Sequence, residues 1–506
     1  MKPRKRKKKI GPLAHFFCKS PKELLQRRDD AEGFYFGEVS ILGVRYAIAK
    51  PPNREGHTCI MGGTGVGKSS CIVKPTIAKW GKAFIAVDIN GELYEEWLKN
   101  KDPNKRPAKM LDLTASMGSA TGHVSYNPLV DVLQADDGFM AQMCRELVQC
   151  ILPLSPNERD PFWTVAGQDI LTGLILHYVS ESMGFLEAIE LIQGLPLPMA
   201  IQSALKGKSE YAKLLLGQFD TSGSDDEDED YKNGKMLFSI ASTITTRLFS
   251  FVVDPVIRAA LTPNENTIRW SDLDTHDIFV RIDQSKIDQW GVVINMMLTQ
   301  LVRHLEQRPN KHDDAGKDTI PILLLLDEFP RLGRVSVIAN ALSTLRIKNV
   351  TIALVLQSLS QLDLHYGRDE RRVIMDNCEY LAVLSVNDVE TQKYLSDRIG
   401  GRMVKKTSRT QNYDTKGKLA GSSYSYHYEY EPYVRPADLA TPDKVRLISN
   451  GVYCNLHKTP HHQKPKDDLL STVKKVAEKV VSAVKSVFDS VFGKVKSFFG
   501  KRIVIN

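Results

Sequence analysis

The stretch Gly62-Gly63-Thr64-Gly65-Val66-Gly67-Lys68-Ser69-Ser70 limits what this chain can fold into more than any other part of it. It fits the pattern G-x-x-x-x-G-K-[ST], a loop whose backbone N–H groups wrap a chain of phosphates. Glycines without a Cβ let the backbone turn left-handed and lie against the ligand. Lys68 is expected to reach the β- and γ-phosphates and Ser69 to hold Mg²⁺. A helix starting there points its N-terminus at the anion. Residues 56–61 read as the strand before the loop and residues 72–77 as the apolar helix face after it. A strand, this loop and a helix require an α/β fold, with ATP and Mg²⁺ as the expected ligands and residues 62–70 as their cradle.

The rest of the chain has to supply a sheet around that strand. Apolar runs at 83–88, 109–113, 277–282, 320–326, 351–357 and 380–386 alternate with helical patterns, which predicts a parallel sheet covered on both faces. A hairpin at 34–50 leads into the phosphate loop. From about 131 to 265 the pattern is helical with no convincing strand, so a helical insert is expected within the α/β chain. Its one interruption, Asp225-Asp226-Glu227-Asp228-Glu229-Asp230, reads as an acidic loop, because six like charges repel and cannot be buried. Residues 404–430 read as an exposed loop or hairpin. The predicted divisions are a basic tail (1–9), a nucleotide-binding part (10–130), the all-α insert (131–265), a second nucleotide-binding part (266–460), and a linker with an amphipathic helix (461–506).

Charge and cysteines narrow the class. The chain has 506 residues and a net charge of +8. Residues 2–9 contribute +7 and residues 464–506 another +6, which leaves 10–463 at −5. The alkaline character belongs to the two ends, so much of any DNA affinity is expected from residues 1–9. Seven cysteines without C-x-x-C spacing point to reduced thiols in a cytosolic body. No apolar run reaches the 18 or so residues of a membrane helix.

Candidate catalytic groups lie at strand ends. Asp327 and Glu328 follow the apolar run 322–326, where open α/β sheets place ligands. Asp327 is assigned to Mg²⁺ and its waters, and Glu328 to polarising the attacking water. Gln357 ends the next strand and can hydrogen-bond both that water and the γ-phosphate. Arg346 is the candidate for an arginine finger supplied by a neighbouring subunit, since a planar, permanent cation suits a transferring phosphoryl group.

Together these residues resemble the type IV secretion coupling proteins, ATPases that pass DNA or protein to a conjugation or secretion channel. The resemblance spans roughly residues 35–460. It rests on the phosphate loop, Asp88 through Tyr94, the Asn127-Pro128-Leu129 turn, Phe162-Trp163, the run Leu326-Asp327-Glu328-Phe329-Pro330-Arg331-Leu332-Gly333 and Leu356-Gln357-Ser358. It implies a RecA-like motor domain with an inserted all-α domain, assembled as a homo-hexamer. Implied partners are DNA, as a single-stranded transfer intermediate or a duplex, with a relaxase or effector protein, and the type IV secretion machinery. The arginine eleven residues before the strand-end Gln, here Arg346, is the family's finger. Asn90 departs from the family's usual Lys, and the family's N-terminal transmembrane hairpin has no counterpart. The C-terminal segment 469–499, a broad Val/Phe face backed by lysines, is expected to take over membrane contact from the hairpin. A docking helix for a partner is its rival reading. That places the protein in the cytoplasm, peripherally on the inner face of the cell membrane. Two other functions fit the same motifs: a double-stranded-DNA translocase of the chromosome-segregation type, and a non-catalytic docking platform stabilised by nucleotide.

Overall fold

A computed structural model describes residues 22–461, apart from 42–43, 90, 115–122, 155–157, 159, 221–226, 312–318, 414–416, 418 and 450–451. Asn90, the basic tail 1–9, Asp225, Asp226 and the C-terminal segment 469–499 lie outside the described residues.

The sheet holds β1 (Leu25–Arg27), β2 (Phe34–Ile41), β3 (Val44–Lys50), β4 (Thr58–Met61), β5 (Ala83–Asp88), β6 (Ala108–Leu113), β7 (Asp277–Ile282), β8 (Ile322–Leu326), β9 (Val350–Leu356) and β10 (Tyr380–Val383). Strands β11 (Gly401–Tyr413) and β12 (Leu419–Pro432) form a separate ribbon, and β13 (Lys444–Ser449) and β14 (Val452–His457) return to the sheet. The twelve-stranded order is β1-β3-β2-β14-β13-β10-β4-β9-β8-β5-β7-β6. From β10 to β6 every neighbour is parallel. From β1 to the β13–β10 pair every neighbour is antiparallel.

The parallel half follows from composition. Ile322–Leu326 is buried throughout. Its alternate residues serve opposite faces: Ile322, Leu324 and Leu326 join one core, Leu323 and Leu325 the other. Each such side chain contributes about 1.5–3 kcal/mol on burial, so a polar residue on either face would be expensive. The antiparallel half differs from the all-parallel expectation. Its strands β13 and β14 have their apolar stretches cut short by Arg446 and Asn455 and escape a reading based on continuous apolar runs.

Between β6 and β7 the described residues form helices and turns and hold one β-bridge, Tyr126 with Ile268. There the chain leaves and re-enters the α/β part side by side: Ile268 N–H donates to Ser125 O at 2.8 Å and Tyr126 N–H to Ala260 O at 2.8 Å. The helices share the core on one face of the sheet. Asp254 ties them to it, accepting from Trp290 Nε1 at 3.1 Å while capping the helix Pro255–Leu261.

Within the helical insert Leu197–Leu205 and Glu210–Leu216 are separate helices, because Ser209 caps a new start through the N–H of Ala212. One expectation changes here. The acids Glu227–Asp230 do not form a loop; they begin the 27-residue helix Glu227–Val253, at the end where the helix dipole favours negative charge. Residues Gly234–Val253 of that helix, with a mean hydropathy of 1.6, are long and apolar enough to cross a membrane by length and composition. No other described helix is. Leu237, Ile240, Ile244, Leu248 and Phe251 are buried at three- and four-residue spacing, the pattern of a helix laid on a core. Ser239, Thr243, Thr245 and Thr246 bond back to carbonyls four residues earlier, which satisfies their hydroxyls locally.

Candidate nucleotide site

The phosphate loop leaves the C-terminal end of β4 and is pinned on both sides. Gly62 N–H donates to Leu356 O of β9 at 3.2 Å, and Gly63 N–H to Ser385 O at 2.7 Å. Gly65 (φ +72°) and Gly67 (φ +89°) are left-handed, where a side chain costs about 1–2 kcal/mol. The helix after the loop opens as a wide π turn, Ser69–Val73, and tightens to α over Lys74–Lys79. Pro75 explains the change, since it has no N–H to donate to the carbonyl four residues back. Lys68 folds over the loop, its Nζ donating to Gly62 O at 2.7 Å and Gly63 O at 2.9 Å. Burial holds its pKa below the usual lysine value, and the Asp327 and Glu328 carboxylates oppose that shift.

The other strand ends bring the carboxylates and the amide to the same edge. Asp327 follows β8 and is 3 % exposed. Burial first, then the neighbouring Glu328 and Asp88 carboxylates, push its pKa up to about 7. Glu328 is one of three described non-glycine residues with positive φ, at φ 45° and ψ 43°. Its Oε2 accepts from Arg331 Nη1 at 3.0 Å. Gln357 follows β9, and Thr64 Oγ1 donates to its Oε1 at 3.4 Å, so the strand-end amide touches the phosphate loop. Asp88 ends β5 and accepts from the N–H groups of Gly91, Leu93 and Tyr94, capping the helix Glu92–Asn100. Burial raises its pKa against those donors.

Arg346 stands apart. It precedes β9 at Val350, whereas the phosphate loop meets that strand at Leu356. Six residues of strand, roughly 20 Å, separate it from the loop of its own chain. It is 55 % exposed and pairs with Glu55 at 3.5 Å.

The sequence did not single out three contacts. Arg331 holds Glu328, and its signal was the three-residue spacing inside the run 327–333. Thr64 meets Gln357, with no signal beyond membership of the loop. His461 N–H donates to Ser70 O at 2.9 Å and its Nε2 lies 3.0 Å from Glu96 Oε2, laying the end of the described chain over the loop helix. Phe162 and Trp163, singled out as a motif, open the helix Phe162–Ser180 as an edge-to-face pair 5.2 Å apart, far along the chain from this site.

Among the described residues no three His, Cys, Asp or Glu side chains converge on a metal site. A cation at this edge would therefore be held by hydroxyl, carboxylate and phosphate oxygens, the set Mg²⁺ prefers. Asp327 fits: it is a buried carboxylate with two acidic neighbours, which a divalent cation would stabilise.

The profile of the Type IV secretory system conjugative DNA transfer family matches residues 6–451. The chain belongs to that family. Conjugal transfer protein TraG of Escherichia coli is 24 % identical over 405 residues, covering 75 % of this chain and 60 % of that protein. Protein VirD4 of Agrobacterium fabrum (strain C58 / ATCC 33970) is 22 % identical over 437 residues, covering 84 % of this chain and 60 % of that one. The coupling-family chain thus spans about 60 % of the length of these relatives. The bacterial conjugative coupling protein TrwBdeltaN70 shares the fold, with a TM-score of 0.61 at 16 % identity over 85 % of this chain and 91 % of its own. TrwB has also been solved with ADP and Mg²⁺, a structure that matches at a TM-score of 0.61 and 15 % identity. The chain accordingly shares the fold of TrwBdeltaN70, here a mixed α/β sheet with a long parallel half and a helical insert between β6 and β7.

Proposed function

We propose that this chain is an ATP-hydrolysing motor that drives cargo towards a type IV secretion channel. One observation carries the proposal: the phosphate loop, Asp327 with Glu328, and Gln357 meet at the C-terminal ends of β4, β8 and β9, three adjacent parallel strands. That is where an open sheet binds nucleotides. TrwB's complex with ADP and Mg²⁺ supports the choice of ligand class.

In this reading residues 62–70 cradle ATP. The Lys68 ammonium exchanges the carbonyls of Gly62 and Gly63 for the β- and γ-phosphate oxygens. Ser69 and Asp327 would hold Mg²⁺, which supplies charge neutralisation between the terminal phosphates. Glu328 accepts the proton of the attacking water while the Gln357 amide orients it. Arg331 keeps Glu328 on its left-handed turn. Arg346, a strand's length from its own loop and open to solvent, suits completion of a neighbour's site in a homo-hexameric ring. DNA with a bound relaxase, or an effector protein, is the cargo. The protein works in the cytoplasm against the inner face of the membrane. A docking platform has no use for a base held on a strained turn, so the Glu328 backbone favours the motor.

The test separates binding from chemistry. Glu328→Gln is expected to bind a fluorescent ATP analogue as wild type does and to lose turnover by about 10²–10⁴-fold. Wild-type turnover in that variant would mean that another group activates water.

A further inference from the structure

The ribbon of β11 and β12 stands outside the twelve-stranded sheet; most of its described residues are exposed and none is buried. Paired strands of 13 and 14 residues make an arm roughly 44 Å long. An exposed two-stranded ribbon has little core to hold it, so its side chains need a reason.

Alternation sorts those side chains into two unlike faces. Tyr424, Tyr426, Tyr428 and Tyr430 share one face with their cross-strand partners Arg409, Thr407, Lys405 and Met403. The other face carries Lys406, His427, Glu429 and Glu431, where Lys406 pairs with Glu429 at 2.6 Å and with Glu431 at 3.1 Å. The acids of the described ribbon thus lie on the face away from the tyrosines and are already paired there. The tyrosine face holds cations alone. Lys405 Nζ sits 4.0 Å from the Tyr426 ring centre, and the Arg409 guanidinium 5.7 Å from that of Tyr424.

Tyr430 has a structural duty at the root of the ribbon. A Cβ on Gly401 would meet its ring at 2.7 Å, so the ring covers a glycine. Tyr424, Tyr426 and Tyr428 have no such duty, yet they remain 54 %, 60 % and 66 % exposed. A row of exposed rings exceeds what cross-strand pairing requires. The rings recur every two residues, at roughly 6.8 Å. That is twice the per-strand rise of about 3.4 Å in duplex DNA. An unpaired strand reaches this spacing by unstacking its bases, and a duplex does not.

We propose that the tyrosine face of the β11–β12 ribbon is a binding platform for single-stranded nucleic acid. Tyr424, Tyr426 and Tyr428 stack on successive bases, and Lys405 and Arg409 swing from the rings to the phosphates. Aromatic platforms interleaved with cations bind single strands with little sequence preference. The choice of ligand rests on the reading of the chain as a nucleic-acid mover; the platform itself rests on the ribbon.

The experiment is fluorescence anisotropy of a labelled 20-nucleotide oligo(dT) and of a duplex of the same length, with the full chain and no ATP, across a salt series. Tyr424→Ala, Tyr426→Ala and Tyr428→Ala are each expected to weaken oligo(dT) binding about 5- to 100-fold, with an unchanged salt slope and little change on duplex. Tyr426→Phe keeps the ring and is expected to bind as wild type. Lys405→Ala with Arg409→Ala is expected to flatten the log–log salt slope by about 0.7 per cation. Unchanged binding of ATP analogue in each variant reports an intact fold. Alanine variants that bind oligo(dT) as wild type does would overturn the platform while leaving the motor standing. Wild-type protein that binds no nucleic acid at all would overturn both the platform and the DNA cargo. Loss of ring assembly with unchanged affinity for oligo(dT) would reassign the face to a second copy of this chain.

Discussion

Glu328 offers a perturbation whose stability effect can be worked from the backbone. At φ 45° and ψ 43° it sits in the left-handed region, which costs a residue with a Cβ about 1–2 kcal/mol. Replacing it by Ala or by Gly removes the carboxylate and the Arg331 pair equally, so the difference between the two variants isolates the backbone. Ala keeps the left-handed penalty. Gly loses it but gains unfolded-state entropy, which costs about 0.4–1 kcal/mol. The expected balance is that Glu328→Gly is more stable than Glu328→Ala by about 0.5–1 kcal/mol, opposite to the order in a helix or strand interior. Thermal unfolding of the two variants in parallel measures it, with both expected to be inactive in ATP turnover. An Ala variant as stable as the Gly variant, or more so, would mean that the turn is not held left-handed. Backbone strain at Glu328 would then have no part in catalysis.

Three further predictions follow from buried or distant groups. Lys50 is fully buried and burial pushes its pKa down to about 7 from 10.5. The unfolded chain therefore binds the extra proton between those values, and stability rises with pH across that window. Wild type is expected to gain about 2 kcal/mol over Lys50→Met between pH 7 and 9 in urea unfolding; a constant gap would refute the burial of that ammonium. Asp254→Ala removes a helix cap and leaves the Trp290 indole without its partner, so it is expected to destabilise by about 3 kcal/mol. Asp254→Asn should cost less than half of that, and equal losses would argue against the bonds. Mixing Arg346→Ala with Lys68→Ala subunits is expected to restore part of the ATP turnover, because some interfaces then pair an intact loop with an intact finger. A mixture no faster than its components would exclude a shared site.

The legible parts were those whose physics is local. Buried parallel strands read as apolar runs, and Ile322–Leu326 and Val350–Leu356 stood out for that reason. The phosphate loop declared itself through glycines that φ +72° and +89° require. Strands β13 and β14 were missed because Arg446 and Asn455 interrupt their apolar residues, and their antiparallel pairing at the far side of β10 depends on neighbours that sequence does not show. The acids at 227–230 read as a loop by repulsion alone, without weighing the helix end that accommodates them. The tyrosine alternation at 424–430 was visible, but which face the acids share is settled only by the register with β11. Neither the strained turn at Glu328 nor the distance of Arg346 from its own loop has a sequence signature.

Whether the chain is a ring motor is decided by its ATP turnover, measured without nucleic acid, with circular single-stranded DNA and with duplex, over a range of protein concentrations. A ring motor gives turnover that rises faster than linearly with protein as rings form, rises further with DNA, and vanishes in Glu328→Gln. Turnover strictly proportional to protein and indifferent to either DNA would contradict a ring motor that moves nucleic acid.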